Sequence, residues 1–166
     1  MMNFTAIDPG ANGGMATHID GEIKCYEMPK TEHGVLELLR AQKIRGASHV
    51  FIEQVSGFIG KQQPGSAMFK FGEGFGFLKG ASMALRLEVK TITPQTWQKF
   101  LGIGKKKDFN YEAELTKGER KGKVVTKNRW KEVLADHARM LFPNHCVDEK
   151  TADAMLILYY VQNNYD

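Results

Sequence analysis

The sequence predicts an α/β fold in which helices flank a mixed central β-sheet. Three observations support this prediction: a strand meander opens the chain, strand and helix patterns alternate after it, and 166 residues suit one compact domain. The predicted element order is βββ-α-β-α-β-α-α. We therefore expect a single domain over residues 1–166, with a basic insertion at about 105–125.

The first part of the chain is predicted to supply most of the sheet. Residues 4–8 form an apolar run that ends on an acid, and Asp20-Gly21 is a strong hairpin signal between two further extended segments. Thr31 is placed to cap a helix that runs to about Arg45. Residues 49–55 then predict a second buried strand, because Val-Phe-Ile is again followed by an acid.

A helix is predicted over about 66–87, and it carries two stripes. One stripe is apolar and is expected to face the core, while the other consists of glycines spaced four residues apart: Gly72, Gly76 and Gly80. Each glycine weakens a helix by about 1 kcal/mol relative to alanine. The glycine stripe therefore indicates close approach of the sheet or of a partner subunit.

The rest of the chain is predicted to be mainly helical. A short strand at 89–92 and a helix from Pro94 to Leu101 precede the basic segment, which is predicted to be a mobile loop. Thr126 is placed to cap the next helix, and a final, almost wholly apolar helix is expected at about 149–162.

The composition excludes several classes of protein. No apolar run approaches the roughly 20 residues needed to cross a bilayer, and no signal-peptide pattern opens the chain. Cys25 and Cys146 have neither the CxxC nor the Cys/His spacing of a zinc site, and they do not suggest a disulfide scaffold. We therefore expect a cytoplasmic protein that contacts no membrane.

The net charge of +4 is unevenly distributed. Between residues 105 and 131, ten Lys or Arg residues face four acids, which gives that segment +6, whereas the remainder carries 13 basic and 15 acidic residues, or −2. Such a segment is either a solvated loop or a contact surface for nucleic acid.

Carboxylates end both predicted buried strands, at Asp8 and Glu53. If the two strands are neighbours, these carboxylates meet, and a divalent cation would remove their repulsion. Oxygen-only ligands favour Mg²⁺ or Mn²⁺. The last predicted helix adds Glu149 and Asp153, which are four residues apart and so share a helix face, with Asp148 as the reserve candidate.

Each acid also has a purely structural interpretation. Asp8 precedes Pro-Gly and could form an Asx turn, and Glu149 and Asp153 could favour the positive N-terminus of a helix. Glu53 is the hardest to explain in this way, because a charge that continues a buried strand needs a partner. Taken together, the four acids favour a metal site.

Three blocks of sequence resemble the signature blocks of RuvC-like Holliday-junction resolvases. They are Ala-Ile-Asp-Pro-Gly-Ala-Asn-Gly-Gly (6–14), Phe-Ile-Glu-Gln-Val (51–55) and Thr-Ala-Asp-Ala-Met-Leu-Ile (151–157). Phe-Leu-Gly-Ile-Gly (100–104) resembles the segment before the family's DNA-binding lysines, and residues 63–76 are similar to the phage and bacterial branch of small RuvC-like nucleases. The resemblance covers most of the chain in order.

The resemblance implies an RNase H-like fold and an endonuclease that cuts four-way DNA junctions to leave 5′-phosphate ends. It implies two Mg²⁺ ions per site, with Mn²⁺ as a substitute, and no nucleotide cofactor. The implied ligands are Asp8, Glu53, Glu149 and Asp153. In bacterial resolvases the last two acids are three residues apart, where this chain has Lys150, so Glu149 fits only the four-residue version.

The resemblance also implies a surface for branched DNA. Lys127 resembles the family's phosphate-contacting lysine and is assigned a catalytic role, and Lys105, Lys106, Lys107 and Arg129 extend the surface. Phe58, just beyond Glu53, either wedges into an opened junction or covers the core. Because a four-way junction has two-fold symmetry, a homodimer is expected, with the glycine-striped helix as its contact.

Other functions fit parts of the sequence. A broader debranching nuclease of the same fold would cut flaps, forks or replication intermediates, and a non-catalytic relative would only bind DNA. A sugar-kinase or actin-like ATPase also opens with an Asp-x-Gly hairpin, but such enzymes need two lobes, and this chain has no P-loop. Size and the branch resembled suggest a bacteriophage origin, which would place the protein in the cytoplasm of a bacterial host.

Overall fold

A computed structural model describes residues 2–54, 65–117 and 122–165. These residues form a five-stranded sheet, a separate two-stranded hairpin and helices that cover both faces of the larger sheet. The strands are β1 Phe4–Asp8, β2 Gly14–Ile19, β3 Glu22–Glu27, β4 His49–Glu53, β5 Glu88–Ile92, β6 Asn110–Glu114 and β7 Val124–Asn128. The helices are α1 Glu32–Ile44, α2 Gly65–Ala84, α3 Pro94–Leu101, α4 Trp130–Leu141 and α5 Ala152–Asn164, with a short 3₁₀ helix at Lys106–Phe109.

The larger sheet confirms the predicted mixed α/β architecture. Its strand order is β3-β2-β1-β4-β5, in which the opening meander is antiparallel. β4 lies parallel to both β1 and β5. In the β1–β4 pair, Ile7 stands opposite Ile52, so the acids that follow them, Asp8 and Glu53, lie at the same edge of the sheet.

Two hydrophobic cores sandwich the sheet, because successive side chains of a strand point to opposite faces. Phe4, Ala6 and Phe51 face α3, α4 and α5, whereas Ile7 and Ile52 face α1 and α2. The central strands are therefore apolar on both faces, as the uninterrupted runs in the sequence predicted.

The region between α3 and α4 differs most from the sequence prediction. Instead of a mobile loop as far as Val125, the described part contains the 3₁₀ helix and the β6–β7 hairpin. Thr126 lies within β7 and does not cap α4, whose N-cap position is Arg129. The alternation of small, charged and β-branched residues at 110–114 and 124–128 is a strand signal that the charge of the segment obscured.

Two helix predictions also need correction. α5 begins at Ala152, three residues later than Glu149, because the Asp148 carboxylate forms a turn with the backbone N–H groups of Lys150 and Thr151 first. On α4, the helical spacing of Met140 from Trp130, Leu134 and Leu141 predicts an inward side chain, but Met140 is 67% exposed.

Helix α2 is the most exposed apolar element among the described residues. Leu78 and Ser82 are buried, and Phe75 and Leu85 of the predicted apolar stripe pack against the same core, so that part of the stripe is confirmed. Phe69, on another face of the helix, is 70% exposed. No atom lies within 4 Å of where a Cβ would stand on Gly72, Gly76 or Gly80. Within the described chain, therefore, the sheet does not approach the glycine stripe.

No described helix is long and apolar enough to cross a membrane.

Candidate active site

Three acids from separate elements lie close together at one end of the sheet. Asp8 ends β1, Glu53 ends β4, and Asp153 lies in the first turn of α5, which packs across β1 and β2. Asp153 is 6% exposed, and its charge acts on both of the other carboxylates. The strand order and the position of α5 thus bring together three of the four acids proposed from the sequence.

The Gly13-Gly14 pair permits this close packing. A Cβ at Gly13 would stand 2.1 Å from the Asp8 carbonyl oxygen, and one at Gly14 would stand 2.9 Å from the carbonyl oxygen of Lys150. Both distances are shorter than any ordinary contact with a Cβ and involve backbone atoms, which cannot swing aside. Glycine at position 13 lets the β1–β2 connection lie on the backbone of Asp8. Glycine at position 14 lets the turn before α5 lie on the start of β2, and so places Asp153 next to Asp8.

The Glu53 carboxylate is held by a buried tryptophan on α3. Trp97 Nε1 donates a hydrogen bond of 2.9 Å to Glu53 Oε1, and the Trp97 side chain is fully buried. Because the indole cannot move without disturbing the core, this bond fixes one oxygen of Glu53 and leaves the other for a further ligand.

A lysine from α4 reaches the opposite side of the acid cluster. Lys131 Nζ donates a 2.6 Å hydrogen bond to Asp153 Oδ2. The Lys131 side chain remains 52% exposed, whereas that of Asp153 is only 9% exposed, so the ammonium approaches from solvent. Asp153 Oδ1 is buried and has no hydrogen-bond partner in the described chain.

Burial and mutual repulsion make two of these acids hard to ionise. Burial, followed by the charges of Asp153 and Glu53, raises the pKa of Asp8 to about 8 against the partial relief from Lys131. Burial also raises the pKa of Glu53 to about 7, although the Trp97 hydrogen bond opposes that increase. Burial opposes the charge on Lys131, but Asp153 and then the other two acids raise its pKa overall. Near neutral pH, the cluster therefore holds fewer negative charges than it has carboxyl groups.

The residues present fit a divalent cation in their chemistry. Among the described residues, no three His, Cys, Asp or Glu side chains lie close enough to one another to hold a metal ion as they stand. The cluster nevertheless offers only carboxylate oxygens, which suit hard cations such as Mg²⁺. One of these oxygens, Asp153 Oδ1, is buried without a partner, and the repulsion that raises the pKa of Asp8 is the kind that a cation removes. Lys131 supplies the positive charge in this arrangement.

The fourth proposed ligand lies apart from these three. Glu149 is exposed in the turn before α5, so it does not share a helical face with Asp153 in the predicted way. Its neighbour Asp148, the reserve candidate, accepts hydrogen bonds from the N–H groups of Lys150 and Thr151 and from the Thr151 hydroxyl. Burial alone would raise the pKa of Asp148, but these hydrogen bonds outweigh it and lower the pKa. Asp148 thus shapes the turn, and Glu149 has the freer carboxylate.

The residues proposed to bind DNA form an exposed group beyond Lys131. Lys105 precedes the 3₁₀ helix that contains Lys106 and Lys107, and all three side chains are exposed. Lys127 lies on β7, and Arg129 pairs with Glu132 at the start of α4. Among the described residues, none of the four lysines forms an ion pair. Phe58 lies outside the described residues.

No protein-family model matches the sequence, and a search of curated proteins finds no match. The fold, however, matches solved structures. Thermus thermophilus RuvC aligns over 98% of this chain and 96% of its own, with 18% identity and a TM-score of 0.56. T. thermophilus RuvC in complex with a Holliday junction substrate aligns over 99% and 97%, with 15% identity and a TM-score of 0.60.

The chain has the RuvC fold. This confirms, at the level of the fold, the resemblance that the three sequence blocks indicated, and the RuvC fold is RNase H-like, as expected. At 15% and 18% identity the likeness does not assign residue roles, which rest on the geometry described above.

Two residues of this site were not predicted from the sequence. Trp97 and Lys131 were assigned to a short helix and to a charged segment, and neither was connected with the acids. The presence of a tryptophan on a short amphipathic helix after β5 was the available signal for Trp97. Lys131 had no local signal, because its role depends on how α4 packs against α5 in the RuvC fold.

The raised pKa values predict that stability falls as pH rises in the metal-free protein. The pKa of Asp8 is about 8 in the folded protein and returns to its ordinary value of 3.8 when the chain unfolds. The folded state therefore binds the proton more tightly, and the stability this provides at low pH is lost progressively between these values. In EDTA, we expect the thermal midpoint to fall from pH 5 to pH 8, and to fall less steeply in Asp8→Asn. Equal slopes for the two proteins would contradict the assignment.

The contact between Lys131 and Asp153 predicts that the lysine competes with a bound cation. Removing one ammonium next to the cluster should tighten binding of Ca²⁺ or Mn²⁺ about tenfold in Lys131→Met, because solvent screens the 52% exposed lysine and leaves only part of its repulsion of the cation. Isothermal titration calorimetry measures this affinity without any cleavage.

Arg129→Met is the matched control for this prediction. Arg129 lies two residues earlier and is as exposed, but it pairs with Glu132 instead of the cluster. An equal gain in affinity for both variants would show a general effect of charge, and no gain in Lys131→Met would contradict competition.

Proposed function

We propose that the protein is a metal-dependent DNA endonuclease that resolves four-way junctions by hydrolysing phosphodiesters to 5′-phosphate ends. The observation that supports this proposal is the meeting of the half-buried Asp8 and Glu53 with the buried Asp153, mutually repelling, at the carboxyl edge of a RuvC-type sheet. A cluster of carboxylates that destabilises itself in this way is expected at a functional site. A role in DNA recombination, repair or replication would follow.

The chain's own residues divide the work of such a site. Two Mg²⁺ ions, replaceable by Mn²⁺, would be held by Asp8, Glu53, Asp153 and Glu149, and would activate water and stabilise the leaving oxygen. Trp97 orients Glu53 by its hydrogen bond, and Gly14 allows the backbone of α5 to bring Asp153 into place. Lys131 can balance the charge of Asp153. Because its side chain is 52% exposed, it could also contact a phosphate of the bound DNA.

Branched DNA is the proposed substrate because exposed lysines lie on segments joined to the start of α4, where Asn128 bonds to both the Lys106 carbonyl and the Trp130 N–H, next to Lys131. Lys105, Lys106, Lys107, Lys127 and Arg129 would contact phosphates, with Lys127 close to the reaction. Phosphate contacts position the DNA and carry no sequence information. One RuvC structure is a complex with a Holliday junction substrate, which favours a junction over other branched forms.

Two alternatives remain within the same fold. A debranching nuclease would cut flaps and forks as well as junctions, and a non-catalytic relative would bind junctions without cutting. Retention of three converging acids favours an enzyme over a binding protein, since binding alone does not require a self-repelling cluster. We propose a single domain that acts in the cytoplasm, of a bacterial host if the protein is phage-encoded.

A cleavage assay on a synthetic four-way junction tests the proposal. With Mg²⁺ we expect cutting of the junction but little cutting of a flap, a fork or a plain duplex, and none of any substrate in EDTA. Asp8→Asn should reduce the rate at least about a thousandfold, yet bind the junction as the wild type does, because the lysines are intact. Glu149→Gln should impair cleavage, whereas Asp148→Asn should mainly lower the thermal midpoint.

Different failures of this assay have different meanings. Equal cutting of flap and junction would favour the debranching nuclease. Binding of the junction without metal-dependent cutting would favour the non-catalytic relative. Loss of both cleavage and binding in Asp8→Asn would indicate a structural role for Asp8.

We also propose that the protein is a homodimer that associates through α2. Phe69, Gly72, Gly76, Gly80 and Met83 recur at spacings of three and four residues, which places them on one face of this helix. Phe69 and Met83 are 70% and 64% exposed, and the three glycines between them are open. A smooth centre between large apolar ends allows two such helices to pack closely about a two-fold axis, as a two-fold junction requires.

Phe69→Lys tests this contact, with Met140→Lys as a control. Met140 is 67% exposed on α4, so both changes replace an exposed apolar side chain by a charge. Burying that charge between two α2 helices is unfavourable, so we expect Phe69→Lys to weaken dimerisation at least tenfold in sedimentation velocity, with Met140→Lys unchanged. A monomeric wild-type protein at 100 μM or so, or equal effects of the two changes, would contradict the proposed contact.

A further inference from the structure

The hairpin formed by β6 and β7 has two chemically different faces. Tyr111 stands opposite Lys127 and Ala113 opposite Val125, and because alternate residues of a strand share a face, these four lie together. The ladder continues with a hydrogen bond from the N–H of Leu115 to the carbonyl of Lys123, which brings Lys123 to the same face. We call this the lysine face: Tyr111, Ala113, Leu115, Lys123, Val125 and Lys127.

The opposite face carries the acids of the hairpin. Glu112 stands opposite Thr126 and Glu114 opposite Val124, and all four residues are exposed. We call this the acid face. The segment that looked uniformly basic in the sequence is therefore a ribbon that presents lysines in one direction and carboxylates in the other.

The base of the hairpin is firmly attached beside the candidate active site. Asn128 Nδ2 donates to the Lys106 carbonyl at 2.7 Å, and Asn128 Oδ1 accepts from the Trp130 N–H at 2.9 Å. The Phe109 ring packs 5.5 Å from that of Trp130, which is buried in the core. The next residue is Lys131, which contacts Asp153. A ligand on the acid cluster thus lies near the base of the hairpin.

The lysine face has the properties of a surface for nucleic acid. Lys123 and Lys127 are four residues apart on one strand, which separates them by about 13 Å, far enough to contact different phosphates. The small Ala113–Val125 pair between them lets a backbone or groove edge approach, and Tyr111 is 42% exposed at the end nearest the active site. Glu112 and Glu114 on the acid face would repel DNA. The charges of the hairpin therefore favour binding with the lysine face turned towards the DNA.

We propose that the hairpin binds one duplex arm of the substrate through its lysine face, with the acid face turned to solvent. This inference rests on the proposed DNA substrate and adds five residues to its binding surface, namely Tyr111, Ala113, Leu115, Lys123 and Val125. It also fixes the direction from which the arm approaches, from the lysine face towards Lys131 and the acid cluster.

Binding to a labelled four-way junction in EDTA tests this orientation without cleavage. The double variant K123A/K127A should weaken binding at least tenfold and reduce the slope of log affinity against log salt by about two, one for each lost phosphate contact. The control E112Q/E114Q changes two charges on the acid face and should alter affinity less than twofold.

Two substitutions of uncharged residues, one on each face, test whether the lysine face contacts DNA independently of its charge. Tyr111→Ala should weaken binding threefold to tenfold, whereas Val124→Ala, on the acid face and 63% exposed, should leave it unchanged. Wild-type-like binding by K123A/K127A would overturn the inference, as would an E112Q/E114Q gain equal to the K123A/K127A loss. Such results leave the proposed nuclease intact, whereas a wild-type protein that binds no DNA would overturn both.

Discussion

Holding three carboxyl groups together at one edge of the sheet, one of them buried and two half-buried, is the constraint on which the rest of this structure depends. Asp8, Glu53 and Asp153 repel one another where little solvent screens them, so the folded chain must either keep protons on them or supply positive charge. Both solutions are present: the pKa of Asp8 is raised to about 8, and Lys131 pairs with Asp153. An arrangement that is unfavourable in itself persists only where surrounding packing holds it in place.

That packing comes from elements with no acidic role of their own. Gly13 and Gly14 remove side chains where the turn before α5 must touch β1 and β2, and Trp97 holds Glu53 from within the core. Lys131 depends in turn on α4, whose N-terminus is tied to the hairpin through Trp130. The acid cluster, the close backbone contact and the hairpin base are therefore one connected unit, so a change at any of them should be felt at the carboxylates.

The sequence predicted the parts of this unit that local pattern determines. The strands that end at Asp8 and Glu53 were visible as apolar runs followed by acids. Their pairing was only the condition on which the metal-site prediction depended, and the structure meets it. The start of α5 was predicted three residues early, because periodicity does not reveal that Asp148 first closes a turn. Lys131 and Trp97 were missed, since each acts on an acid more than twenty residues away in the chain. The β6–β7 hairpin was missed because its charged residues hid an alternation that only the cross-strand register makes plain.

Helix α2 shows why burial could not be predicted from apolar periodicity alone. Its sequence predicted a stripe facing the core, and Phe75, Leu78 and Leu85 do pack there. Phe69 and Met83 remain exposed, however, and the glycine face meets nothing in the described chain. Apolar residues lie all around such a helix only if something else covers the remaining surface. A second copy of the chain is the simplest cover, because a smooth face between Phe69 and Met83 is complementary to itself under a two-fold rotation. The same rotation would set two acid clusters and two lysine faces in symmetric positions, which matches the paired strands of a four-way junction.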